Sequence, residues 1–129
     1  MTLRQQVASR VGYRCEYCRL SEHYTSVPFQ MDHVIAEKHE GETSLENLAF
    51  ACLHCNAFKG PNIAGMDPVT KRIVRLFDPR RDSWDENFDW EGAVLKAHTA
   101  IGRATIAVLR INLPYRVAVR ASHIQEGLF

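Results

Sequence analysis

The stretch CLHCNAFKG, residues 52–60, combines a Cys-x-x-Cys pair with a short helical segment that ends at the stop signal Gly60-Pro61. A second pair, CEYC, occupies residues 15–18. A redox motif of the thioredoxin type does not explain two such pairs, whereas tetrahedral zinc accepts four thiolates at about 2.3 Å. The spacing therefore predicts a closed, structural zinc site, with four unligated cysteines or a redox role as the alternatives. The predicted ligands are Cys15, Cys18, Cys52 and Cys55.

Length and composition indicate a globular protein. The chain has 129 residues, of which 46% are hydrophobic and 24% charged, and these values argue against a disordered or fibrous chain. No run approaches the ~18 apolar residues of a membrane span, and the segment MTLRQQVASR lacks the apolar region of a secretory signal. We therefore expect a single domain over residues 1–129 in the cytoplasm, without membrane association, where reducing conditions disfavour disulfides.

The charge is balanced overall but unevenly distributed. A net charge of +1 does not by itself indicate a nucleic-acid-binding protein. Residues 71–81 hold five basic side chains and one acid, and residues 102–125 hold four arginines and no acid. One face of the protein is therefore a candidate for phosphate binding, although solvated faces of helices and a hairpin explain the same pattern.

The first half of the chain predicts a helix followed by a hairpin. Apolar residues at helical spacing predict a helix over residues 2–11. Residues 28–36 and 48–52 have the pattern of strands, and the polar residues 37–47 between them form a loop. Because the two cysteine pairs flank this hairpin, zinc binding would fix both of its ends.

The second half predicts another hairpin and two helices. Residues 72–77 alternate as a strand, and residues 90–98 are predicted to pair with them. Helices are predicted near residues 102–111 and from Pro114 to about Glu126, since proline is tolerated in a first helical turn. We find no internal repeat and no linker.

Four polar residues stand on the framework that the zinc would anchor. Asp32 and His33 are adjacent within QMDHVIA, residues 30–36, an otherwise mostly apolar strand. Asn47 precedes the returning strand, and Asn56 follows the last cysteine of the second pair. A helix turns about 100° per residue, so Asn56 can face the hairpin while that cysteine faces the zinc.

The order of these elements resembles that of the HNH endonucleases. The resemblance covers residues 13–60 and implies a ββα-metal core held by zinc, with residues 61–129 as a C-terminal extension. The predicted fold class is therefore α+β, with a small ββα-metal core, a second β-hairpin and C-terminal helices. The matching elements are Cys15-x-x-Cys18, Asp32-His33, Glu46-Asn47-Leu48 and Cys52-x-x-Cys55-Asn56-x-x-Lys59-Gly60.

The resemblance implies a nuclease that cuts DNA, most simply the duplex, with one divalent ion, Mg²⁺ or Mn²⁺. It implies that His33 is the general base, that Asp32 and Asn56 bind the ion, and that Asn47 fixes the loop and orients the base. The chemistry agrees, because imidazole takes a proton from water near neutral pH and a hard ion prefers carboxylate and amide oxygens. Many family members have His at the position of Asn56, and an amide suits Mg²⁺ better than a soft metal.

Adjacent side chains on a regular strand point to opposite faces, which conflicts with a shared site for Asp32 and His33. We therefore predict a bulge or a strand end at this pair. Two other histidines, His39 and His54, are predicted to lie on the surface. Lys59 is a candidate phosphate contact, with a solvated helix end as the alternative.

Residues 66–90 resemble, more loosely, an extension found after the core of bacterial HNH proteins. Those proteins commonly have His at the position of Asn87. Arg80 and Arg81 are the candidate contacts to the DNA backbone here, with pairing to nearby acids as the alternative. The aromatic residues are predicted to be core rather than base-stacking; they are Trp84, Phe88 and Trp90.

Two functions of other classes compete with the nuclease. A zinc-stabilised nucleic-acid-binding module would keep the fold without cutting, and a protein-interaction module would make the arginine clusters incidental. The polar set at the hairpin favours the nuclease, because a binding module needs no general base. A single active site implies that double-strand cleavage takes a dimer or two sequential nicks, and the sequence leaves that choice open.

Overall fold

The computed structural model describes all residues from Met1 to Phe129. Helix α1, Leu3–Ser9, begins with a capping box, in which the Thr2 hydroxyl accepts from the Gln5 amide and the Gln5 side chain accepts from the Thr2 amide. The predicted helix is thus confirmed, with slightly shorter limits. A compact turn that carries the first cysteine pair follows it.

The central motif is a hairpin followed directly by a helix. Strand β1, Gln30–His33, pairs antiparallel with β2, Leu48–Ala51, and a single residue separates β2 from helix α2, Leu53–Lys59. Cys52 caps α2, and Gly60 ends it with a φ of 50°, a left-handed conformation that favours glycine. This ββα arrangement confirms the predicted α+β class and the predicted order of its core.

The extension forms two separate short hairpins. Strand β3, Ala64–Met66, pairs with β4, Ile73–Arg75. After a short helix α3, Trp84–Asn87, strand β5, Phe88–Glu91, pairs with β6, Val94–Ala97.

The prediction that residues 72–77 pair with residues 90–98 is therefore wrong. Each strand pairs with its neighbour in sequence, and the tight turn at Gly92, with a φ of 59°, closes the second hairpin on itself. Closing a short loop costs less chain entropy than joining two distant segments. The sequence pattern identified strands but carried no information on their partners.

Two helices close the chain as predicted. Helix α4, Ala100–Leu109, packs against α2 and against β3, β4 and β6, and α5, Pro114–Gln125, has its proline in the first turn. None of the helices has the length and apolar character needed to cross a membrane.

A single buried cluster draws residues from both halves of the chain. It joins the four cysteines and the central hairpin to apolar residues of the extension and of α4. Phe88 lies within it, while Trp84 and Trp90 are partly buried against it, in agreement with their predicted core role. Asn87 is buried and hydrogen-bonded to Ser83 and Thr99, so it stabilises this packing.

Candidate active site and zinc centre

The four cysteines converge at one point. Their Sγ atoms lie within 4.8 Å of one another and all four residues are buried. The Sγ atoms of Cys18 and Cys52 are 3.7 Å apart, close to the ~3.8 Å edge of a tetrahedron with zinc–sulfur bonds of about 2.3 Å. The donor set and its spacing therefore fit structural zinc.

Arg116 of α5 contacts this cluster, and the sequence offered no signal for it. Its guanidinium donates to the Sγ of Cys55 at 2.9 Å and to that of Cys52 at 3.7 Å, and also to the Leu109 carbonyl at 2.7 Å. Burial acts to lower the pKa of Arg116, but the nearby thiolates raise it above its ordinary value. Four thiolates around a divalent ion leave two excess negative charges, which this buried cation partly compensates.

The thiols depend on a cation for their charge. Burial raises the pKa of Cys15 and Cys55 well above the ordinary thiol value, whereas hydrogen bonds from the other cysteines lower that of Cys18. Zinc binds the thiolate form and would release these protons. Zinc binding would therefore be coupled to folding at this site.

Strand β1 ends at His33, as the strand-end alternative predicted. The register with β2 is regular, with Asp32 opposite Ala49 and His33 opposite Leu48, so there is no bulge. Asp32 points into the protein and is 4% exposed, whereas the His33 side chain is 21% exposed. The two side chains thus lie on opposite faces of the strand.

The His33 ring contacts the loop between the strands. Its Nε2 lies 2.9 Å from the Thr43 hydroxyl and 3.5 Å from a Glu37 carboxylate oxygen, while Nδ1 has no hydrogen-bond partner within the chain. The loop therefore fixes the ring through one nitrogen and leaves the other available. This arrangement is chemically competent for proton transfer.

Asn47 holds the same loop in place. Its Oδ1 accepts from the Ile35 amide at 2.9 Å, and its Nδ2 donates to the carbonyls of Ile35 at 2.9 Å and Glu42 at 2.8 Å. These bonds join the chain just after His33 to the chain around Thr43. Asn47 thus connects the two segments that determine the position of the imidazole.

Asp32 belongs to a buried polar network. The Tyr17 hydroxyl donates to its Oδ2 at 2.7 Å, and the Lys59 ammonium donates to its Oδ1 at 3.2 Å. Burial raises the pKa of Asp32, and the Lys59 charge and the Tyr17 hydrogen bond act against that shift. Burial also raises the pKa of Tyr17 well above its ordinary value, so the phenol stays protonated as a donor.

Lys59 is neither a phosphate contact nor a solvated helix end, so both predictions for it are wrong. It is 1% exposed, and its ammonium also donates to the carbonyls of His33 at 3.1 Å and Val34 at 3.2 Å. Lys59 lies four residues after Cys55, and both face the interior because residues i and i+4 share a helix face.

The residues that would hold a divalent ion supply suitable oxygens. Asn56 lies three residues before Lys59 on α2, is partly buried, and its side chain has no hydrogen-bond partner within the chain. The Asp32 carboxylate and the carbonyls of His33 and Val34 converge on a cation, which here is the Lys59 ammonium. Such hard oxygen donors fit Mg²⁺ or Mn²⁺.

The two candidate DNA contacts differ. Arg80 is partly buried and forms an ion pair with the buried Glu16, not with the acids near it in sequence. This pairing engages the guanidinium within the protein, and the DNA contact of Arg80 stays a prediction. Arg81 is exposed, makes no ion pair, and lines a shallow cleft beside Val34 and Ile35. Arg81 therefore remains a candidate.

Two other histidines, His39 and His54, make no hydrogen bond to His33. His39 is exposed in the hairpin loop, as predicted. His54 is partly exposed on α2, with Nδ1 3.4 Å from the Tyr115 hydroxyl. Neither is placed to share the chemistry of His33.

Comparison with known proteins gives one match. The model of the HNH endonuclease family matches residues 15–61, which contain both cysteine pairs, the β1–β2 hairpin and α2. Neither the curated proteins nor the solved structures include a match. The matched range agrees with the segment that the sequence motifs singled out. Residues 15–61 of the chain are therefore similar to the HNH endonuclease domain.

Proposed function

We propose that this protein is a metal-dependent endonuclease that hydrolyses DNA phosphodiester bonds, with His33 as the general base. The observation that carries the proposal is the placement of His33 at the end of a zinc-anchored strand, with a partly exposed ring and one ring nitrogen held by the loop. A histidine that only stabilised the fold would not need this exposure. The family match over the same residues supports the class of reaction.

We assign water activation to Nδ1 of His33. The Thr43 hydroxyl contacts Nε2, which fixes the ring plane and leaves Nδ1 to accept a proton from water. Asn47 maintains this geometry because it joins the chain after His33 to the loop that carries Thr43. The resulting hydroxide would form a bond to phosphorus while the bond from phosphorus to the leaving 3′ oxygen breaks. The proton taken from water would remain on the imidazole.

Asp32 and Asn56 are the residues that would hold Mg²⁺ or Mn²⁺. The ion, when bound, supplies Lewis-acid stabilisation of the charge that develops on the phosphate and the leaving oxygen. Arg81 is the candidate contact to a phosphate of the bound strand. Its exposure, its lack of an ion pair and its position in the same cleft as Ile35 support this role.

The test is cleavage of supercoiled plasmid by zinc-loaded protein in buffer freed of other metals, with Mg²⁺ or Mn²⁺ added. We expect metal-dependent nicking that His33→Ala abolishes. His39→Ala is the matched control, because His39 is an exposed histidine of the hairpin loop whose side chain makes no hydrogen bond. Nicking by folded, zinc-loaded His33→Ala at the wild-type rate would exclude His33 as the base.

A non-cleaving nucleic-acid-binding module is the second candidate. The burial of Asp32 and its hydrogen bond from Lys59 favour this candidate. Binding to DNA that weakens steeply with salt, without cleavage in any metal, would support this candidate. A protein-interaction module would show neither cleavage nor salt-dependent DNA binding.

A further inference from the structure

The ammonium of Lys59 occupies a pocket built of oxygen atoms. Both carboxylate oxygens of Asp32 lie 3.2 Å from Nζ, and the carbonyl oxygens of His33 and Val34 lie at 3.1 and 3.2 Å. Lys59 is 1% exposed and Asp32 is 4% exposed. The chain thus contains a buried cation site whose occupant is its own side chain.

We propose that the Lys59 ammonium competes with the divalent ion for Asp32, so that metal binding requires Lys59 to leave. The inference rests on the proposed function only in taking Asp32 as a metal ligand. An ammonium and a divalent ion repel each other strongly at the few ångströms that separate two ligands of one carboxylate in a poorly solvated site. The single negative charge of Asp32, moreover, balances the Lys59 ammonium alone, but not the ammonium and the divalent ion together.

The position of Lys59 permits this exchange. It is the last residue of α2, and Gly60, with its left-handed φ of 50°, follows at once. A lysine carries its charge on a flexible four-carbon stem, so the ammonium can move into solvent while the helix keeps its hydrogen bonds. The Tyr17 hydroxyl, bonded to Asp32 Oδ2, stays in place behind the carboxylate.

The exchange would couple metal binding to the geometry of the base. Lys59 holds the carbonyls of His33 and Val34, where β1 ends. When the ammonium leaves, these carbonyls and one side of Asp32 lose their partner and become available to the ion or its water. In the protein without a divalent ion, Lys59 then closes this site and balances the charge of Asp32.

Lysine labelling of the wild-type protein tests this directly. Zinc-loaded protein is treated with an acylating reagent across a Mg²⁺ or Mn²⁺ titration, and each lysine is quantified by mass spectrometry. We expect Lys59 to be protected without a divalent ion and to gain reactivity by about tenfold or more at saturation. Lys71 is the internal control, because it is exposed without an ion pair, and its reactivity should stay constant.

A second measurement uses Lys59→Met, which removes the ammonium and keeps an unbranched apolar side chain as far as Cε. We expect its Mn²⁺ affinity, measured by electron paramagnetic resonance, to exceed that of the wild type by about tenfold or more. Lys71→Met should match the wild type, and Asp32→Asn should lose this binding. If Lys59→Met does not fold with zinc, the labelling experiment decides alone.

The proposal is overturned if Lys59 stays protected at saturating metal, if Lys59→Met binds Mn²⁺ no more tightly than the wild type, or if no divalent ion binds. Neither readout requires DNA cleavage. A protein that releases Lys59 on metal binding but does not cut DNA would refute the proposed function and leave this inference standing.

Discussion

Asn47→Ala is the substitution whose consequences the structure defines most fully. It removes three hydrogen bonds at once, one accepted from Ile35 and two donated to Ile35 and Glu42. The truncated side chain leaves these backbone groups without their partner. We therefore expect both lower stability and a mobile loop beside His33.

The size of the effect follows from the burial of the site. A hydrogen bond contributes about 0.5–1.5 kcal/mol net, which gives an upper value of about 4.5 kcal/mol for three. Because Asn47 is only partly buried, water can replace some of the lost partners. We expect a loss of about 2 kcal/mol in the free energy of unfolding, which corresponds to a fall in Tm of roughly 6–10 °C.

Urea and thermal unfolding of the zinc-loaded protein measure this loss. Asn62→Ala is the matched control, since Asn62 is exposed and its side chain makes no hydrogen bond within the chain. Well below the melting temperature, Asn47→Ala should also lower the cleavage rate, because the Thr43 contact to His33 depends on the loop. A stability loss equal to that of Asn62→Ala would refute the role of Asn47 described above.

Three further substitutions test other parts of the structure. Gly41→Ala places a methyl group 1.6 Å from the Ile35 carbonyl oxygen, so the loop must shift; we expect a loss of about 1–3 kcal/mol in urea unfolding. Hydrogen bonds from Arg103 hold the pKa of Asp67 in the folded protein well below its ordinary value. The Asp67 carboxylate therefore stabilises the fold fully above the pKa of the unfolded chain, near ~4. This contribution is lost as the pH falls through the pKa of the folded protein. The Tm gap between wild type and Asp67→Asn should accordingly be widest at neutral pH and close in acid. Arg116→Met removes the donor to the thiolates and should weaken zinc binding by about tenfold, measured as zinc release to a chelating dye; unchanged release would show that the contact is incidental.

Local patterns predicted the core of the fold well. Cysteine spacing identified the zinc cluster, and the ordered motifs identified the hairpin and α2. Proline and helical periodicity placed the two C-terminal helices. Each of these features is set by residues that lie close in sequence or by ligands of one ion, so the sequence contains the necessary information.

The errors concern the partners of the strands and also some elements. The sequence patterns do not predict the strand Ala64–Met66 or the helix Trp84–Asn87, and residues 90–98 belong to two strands rather than one. Residues 72–77 form a strand as expected, but the strand pairs with Ala64–Met66. Lys59 and Arg80 carry charges that suggest phosphate contacts, yet they pair with Asp32 and Glu16 inside the protein. A charged residue at the end of a helix has the same sequence pattern whether it faces solvent or a buried acid.

Short-range periodicity and ligand spacing encode most of the elements, the cysteine cluster and the set of polar residues at the hairpin, so these features can be read from the sequence. The folded chain alone reveals that Asp32 faces a buried lysine while His33 faces the loop. It also reveals that Arg116 contacts the cysteine sulfurs from 61 residues beyond Cys55. These contacts join segments far apart in sequence, and their strength depends on burial, which excludes water from the charges. Burial arises from the packing of the whole chain.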